Sequence, residues 1–174
     1  MPLLLVIHST PVRIVKQYWK DIIFCQMLSF KVGGLRESLY EARVTPPPYS
    51  NQAHHIVAKN AEKATYSSEV LEGLDIDLNS ASNGILLPSD RAATDAVTES
   101  IHNGGHLESY YDYINNEISD TLSALDPTWK NEEDIKAILQ GLSDVERAKV
   151  KAEICNTLTK IKGKLLNGEV LIHN

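Results

Sequence analysis

Thr45-Pro46-Pro47-Pro48-Tyr49-Ser50 is the feature that most restricts how this 174-residue chain can fold. Proline fixes φ, lacks a backbone N–H and drives the residue before it out of the helical region. Three prolines in succession make a rigid, extended connector that no helix can cross. The chain is thereby divided into an upstream segment and a core that begins near Tyr49. Upstream, the apolar pairs Ile14/Val15, Tyr18/Trp19 and Ile22/Ile23 recur at a period of 3.6 and predict an amphipathic helix over 12–29. Gly33-Gly34 breaks that pattern, and the run from Leu35 to Ala42 restarts a short helix.

Downstream, the patterning alternates between short strands and helices. Residues 53–58 predict a strand, and 60–72 a helix that stops at Gly73. Asn83-Gly84 reads as a turn leading into a short apolar strand, Ile85 to Leu87, which Pro88 ends. Residues 90–100 are polar and alanine-rich, either a loose helix or a loop. From His106 onward, Leu107, Tyr110, Tyr111, Ile114 and Ile118 have helical spacing, and Pro127 breaks the chain. Two further helices are expected over 131–142 and 144–166, the second on the spacing of Ile154, Leu158, Ile161 and Leu165. Asn167–Ile172 predicts a small turn or a closing strand. The expected class is α+β and predominantly helical. The division is a helical N-terminal extension (1–48), a core (49–120) and a C-terminal helical region packed on it (121–174).

Composition excludes several classes. Two cysteines, Cys25 and Cys155, make neither a disulfide framework nor a Cys-x-x-Cys zinc site; a bridge between the two is possible, with no support from their spacing. The apolar run near the start, Leu3 to Ile7, lacks a basic flank and is too short for a signal segment or a membrane span, so a soluble chain without a membrane partner is expected. The net charge of −6 is unevenly spread. Residues 1–65 carry +4, 66–134 carry −13 and 135–174 carry +3. The acidic centre is either a solvated face or a surface for a basic partner.

Four of the six histidines fall between His54 and His106. Histidine is the commonest metal-ligating side chain and titrates near neutrality. His54 and His55 are adjacent, and neighbours on a strand point to opposite faces. His102 and His106 are four apart, a spacing that puts two side chains on one face of a helix; Asn103-Gly104-Gly105 between them places His102 before the helix and His106 on its first turn. Each feature alone has a plain structural explanation, and their order along the chain carries the signal. Lys59, Lys63 and Arg91 are candidate phosphate contacts, with solvated surface charge as the alternative. Tyr110 and Tyr111 read as helix core rather than base-stacking residues.

The segments AHHIVAK, LDIDLNSASNGILLP and IHNGGHLESYYDYIN, spanning about residues 52–118, together resemble the AHH subgroup of the HNH/endonuclease VII superfamily. Leu74 stands where the subgroup has a glycine, with Gly73 one place earlier, so the turn there is expected to shift. The resemblance implies a ββα-metal (His-Me) finger with His54, His102 and His106 as metal ligands. It implies His55 as general base, and Asn83 as the residue that holds the loop and orients that base. One divalent cation is implied; imidazole donors suit Zn or Ni, whereas Mg and Mn sites more often use oxygen. The function implied is that of a sequence-nonspecific endonuclease, acting on DNA, in a secreted or injected antibacterial toxin neutralised by an immunity protein. RNA cleavage by the same fold, or a non-catalytic zinc-stabilised binding module, are the alternatives.

Overall fold

The computed structural model describes residues 33–90 and 105–172. The helix expected over 12–29, the segment 91–104 with Arg91 and His102, and Cys25 lie outside the described residues. Among those described, helix α1 (Leu35–Glu41) precedes strand β1 (Asn51–His55). A 3₁₀ turn (Glu62–Ala64) then leads into helix α2 (Thr65–Gly73). A second 3₁₀ turn (Ala81–Asn83) runs into strand β2 (Gly84–Pro88). Helices α3 (Glu108–Leu125), α4 (Ile135–Gly141) and α5 (Asp144–Leu166) follow. The class is α+β and mostly helical, as the patterning implies.

The two strands pair antiparallel, with His54 opposite Ile85 and His55 opposite Gly84. Every residue of β2 is buried, which is why Gly-Ile-Leu-Leu-Pro shows no polar alternation: both faces of this hairpin are covered. Ile85 and Leu87 join the main core, whereas Leu86 packs with Leu35 and Leu39 of α1 and with Ala81. Successive strand residues face opposite ways, so α1 lies over one face of the sheet and the main helical layer over the other. Arg36 ties α1 to the start of β1, donating to Asn51 Oδ1 at 2.9 Å and to Asn51 O at 2.8 Å.

Helix α3 presents Tyr110, Ile114, Ile118 and Leu122 to the core at four-residue intervals. Helix α5 opposes it with Val150, Ile154, Leu158, Ile161 and Leu165, and Ile135 and Leu139 of α4 complete the layer. Ser143 and Glu146 form a capping box at the start of α5, satisfying two otherwise orphaned N–H groups reciprocally. Burial of these stripes supplies most of the stability of such helices.

Three sequence expectations are corrected. The strand predicted over 53–58 ends at His55, because Asn83 takes over the backbone of Val57. Asn83-Gly84 is not a hairpin turn: Gly84 is extended, at φ −119° and ψ 152°. Its missing Cβ matters for space instead, since a Cβ there would lie 2.6 Å from Leu35 Cδ1. The helix predicted over 131–142 begins at Ile135. Of the two forms expected for Asn167–Ile172, the turn is the one present, with Gly168 at φ +68°. At Leu74, helix α2 stops after Gly73 as expected, but the left-handed residue is Asp75, at φ 53°. Aspartate is among the few residues other than glycine that enter this region readily. Gly73 is needed for packing: a Cβ on it would lie 3.1 Å from both Leu139 Cβ and Lys136 O.

The uneven charge also has a structural counterpart. Basic residues of the C-terminal third pair with the acidic centre, at Lys136–Glu72 (2.6 Å), Arg147–Asp75 (3.4 Å) and Lys164–Glu117 (2.9 Å). Pairs this exposed contribute little stability each, but they neutralise part of the acidic surface from within the chain.

Candidate active site

The site lies where β1 ends, β2 begins and α3 starts. His54 is buried against the helical layer, at 1% exposure, because its partner in register, Ile85, faces the main core. Its Nε2 lies 2.9 Å from the hydroxyl of Tyr110, and that hydroxyl donates to Ile56 O at 3.0 Å. Burial pushes the Tyr110 phenol far above its ordinary range, so it keeps its proton. Tyr110 is thus core, as its spacing indicates, and also a polar neighbour of the first histidine.

His106 packs against both His54 and Tyr110. Its ring centroid is 4.9 Å from that of His54, at an interplanar angle of 70°. The rings of Tyr110 and Tyr111 stand 5.3 and 5.7 Å from His106. His106 does not start the helix: Leu107 is the N-cap of α3, and Leu107 N bonds to Ile172 O at 2.9 Å. The C-terminal turn therefore fixes the approach of the chain into α3 and, with it, the position of His106. The third expected ligand, His102, lies outside the described residues, and among those described no group of three potential ligands forms.

His55 is the last residue of β1 and half-buried. Its Nε2 lies 2.9 Å from Asn79 Oδ1. Asn79 is held by its own turn, in which its N–H bonds to Asp77 Oδ1 at 2.8 Å. The hydrogen bonds of Asn83 serve the loop instead. Its Oδ1 accepts from Val57 N at 2.8 Å, and its Nδ2 donates to Val57 O and to Leu78 O, both at 2.9 Å. Asn83 is fully buried and bridges the chain leaving β1 to the turn that carries Asn79. The side-chain contact to His55 is made by Asn79, which the sequence reading did not single out. The signal was the Asp-x-Asn spacing of Asp77 and Asn79, a local side-chain-to-backbone turn.

The candidate phosphate contacts differ in setting. Lys59 is exposed. Lys63 is paired with Glu108 at the start of α3; this bond raises the Lys63 pKa and lowers that of Glu108. Lys162 of α5, also missed by sequence, donates to Ala81 O at 2.8 Å beneath the Asn83 turn, and burial lowers its pKa to about 8.

A buried histidine on the first of two short paired strands thus stands next to another at the entry to α3. The chain belongs to the AHH family, a nuclease family of the HNH/endonuclease VII superfamily with conserved AHH, whose model matches residues 35–149. It is a phosphodiester-hydrolysing enzyme of that superfamily. The match extends beyond the motif-bearing segments to include α1, α4 and the start of α5. No curated protein and no solved structure matches the chain.

Proposed function

We propose that this chain is a metal-dependent, sequence-nonspecific endonuclease, with His54, His102 and His106 as ligands of one divalent cation and His55 as general base. The observation that carries the reading is the convergence of His54 and His106, with ring centroids 4.9 Å apart across a sequence separation of more than fifty residues. Two imidazoles from separate elements, meeting at the end of a buried strand, fit the nitrogen-donor chemistry of a transition-metal site. When bound, the cation supplies Lewis-acid polarisation of the scissile phosphate and stabilises the departing oxygen. The imidazole of His55 takes the proton of the attacking water as the new P–O bond forms and the ester P–O bond breaks. Asn83 keeps the loop closed, and Lys59, Lys63 and Arg91 are the proposed contacts to flanking phosphates.

DNA is the proposed substrate, and an antibacterial effector, checked by an immunity protein, is the proposed setting. Both rest on the resemblance of the motif-bearing segments to AHH toxin domains. The proposed organisation keeps 49–120 as the finger, with 1–48 and 121–174 as flanking helical regions. No helix among the described residues is long and apolar enough to cross a membrane. The test is side-by-side digestion of supercoiled plasmid and total RNA, with Zn, Ni, Mg or Mn added or with chelator. Metal-dependent nicking and linearisation of plasmid supports the reading. Preferential RNA loss would move the substrate to RNA, and metal binding without cleavage of either would reduce the site to a structural one.

A further inference from the structure

The Tyr110 hydroxyl carries one proton and lies between two buried groups, His54 Nε2 at 2.9 Å and Ile56 O at 3.0 Å. A carbonyl oxygen can only accept, so satisfying Ile56 O uses the tyrosine proton. At His54 the phenol oxygen must then accept, which requires the proton of the imidazole on Nε2 and its lone pair on Nδ1. His55 has the same arrangement with a different partner. Its Nε2 faces Asn79 Oδ1 at 2.9 Å, and an amide oxygen also only accepts.

We infer that Tyr110 and Asn79 are positioning residues that fix both histidines of the pair as Nε2–H tautomers, so that each presents Nδ1 to the chemistry. The inference rests on the proposed roles of His54 and His55 and deepens them. A metal-bound histidine generally donates its second ring N–H to an outer partner, which fixes tautomer and ring orientation together. Here the outer partner of His54 is on α3, and the same hydroxyl clamps the backbone at Ile56, where β1 ends. The partner of His55 sits on the turn held by Asp77 and Asn83. Two adjacent residues on a strand are thus supported from two different elements, one for each face. This explains how neighbouring imidazoles can hold distinct tasks without exchanging them.

The test is direct detection of histidine tautomers by long-range ¹H–¹⁵N correlation in the full-length, metal-free protein, at a pH where the rings are neutral. The expected result is protonated Nε2 and unprotonated Nδ1 at both His54 and His55. An Nδ1–H tautomer at either ring in the wild-type protein overturns the inference for that ring. In Tyr110→Phe, which keeps the packing ring, the His54 signature should be lost while that of His55 stays, and Zn affinity should fall about 10- to 100-fold. In Asn79→Ala only the His55 signature should change, Zn affinity should hold, and kcat should fall more than KM rises. Asn79→Asp, which keeps an acceptor oxygen, should restore the tautomer. Unchanged signatures in both Tyr110→Phe and Asn79→Ala would overturn the positioning roles. The wild-type spectrum needs no turnover, so a protein that cleaves nothing but shows both Nε2–H rings would fail the proposed function and leave this inference standing.

Discussion

Asn83 binds both polar groups of Val57, accepting from its N–H at 2.8 Å and donating to its C=O at 2.9 Å, across 26 positions of sequence. One carboxamide does what a strand neighbour would otherwise do, and its second donor bond, to Leu78 O, closes the loop. Only an amide side chain offers this combination of acceptor and two donors. Asn83→Asp should therefore be nearly as damaging as Asn83→Ala, because a carboxylate would face two carbonyl oxygens. Each variant should lose on the order of 2–4 kcal/mol in denaturant unfolding, from buried groups left unpaired. An Asp variant of wild-type stability would show that the donor bonds contribute nothing.

Gly84 is explained by space. A Cβ there would stand 2.6 Å from Leu35 Cδ1 and 3.2 Å from Leu39 Cδ2. Gly84→Ala should cost about 1–3 kcal/mol through overpacking. Combined with Leu35→Ala, the loss should be smaller than the sum of the single losses, because the second change removes the clashing atoms. Strict additivity in equilibrium unfolding would contradict the contact.

Lys162 gives the fold a pH dependence. Burial lowers its folded pKa from 10.5 to about 8, so between these values the unfolded chain binds more protons than the folded one. Stability must then rise as pH climbs from about 8 towards 10.5. The contribution of this one group is on the order of 1–3 kcal/mol. Urea unfolding at the two ends of that window should show the rise in the wild type and a flatter profile in Lys162→Met. Equal slopes would mean that the ammonium stays charged and solvated.

The two lysines near the site should behave differently towards nucleic acid. Lys59 is exposed, whereas Lys63 is paired with Glu108. If both approach phosphates, Lys59→Ala should weaken binding uniformly across sequences and reduce the salt slope by about one. Lys63→Ala should have a smaller effect, and Glu108→Gln should tighten binding by freeing Lys63. Fluorescence anisotropy with a labelled duplex over a salt series separates the three; tighter binding by Lys63→Ala would contradict the assignment.

The parts of the molecule legible in sequence are those governed by period. The stripes Tyr110-Ile114-Ile118 and Ile154-Leu158-Ile161-Leu165 read as helices, and they are helices. Pro88 and Gly73 end their elements where they should. Features governed by contacts between distant segments were not legible. The start of α3 depends on Leu107 N meeting Ile172 O, some 65 positions away, which shifts His106 out of the helix. β1 ends early because of a side chain on the other strand's turn. Within the site, the histidines and Asn83 could be named because their order resembles a known pattern, and Tyr110 could not. At helical spacing an aromatic ring looks like core, and the partner of its hydroxyl is decided only by tertiary packing.

The most direct test of the division of labour within the histidine pair is one paired measurement, Zn binding by calorimetry and plasmid cleavage, on His54→Ala and His55→Ala. The account predicts that His54→Ala loses metal affinity and activity together. It predicts that His55→Ala binds metal like the wild type and has lost cleavage by a factor of about 10² or more. Full cleavage activity in His55→Ala, or unchanged metal affinity in His54→Ala, would contradict it.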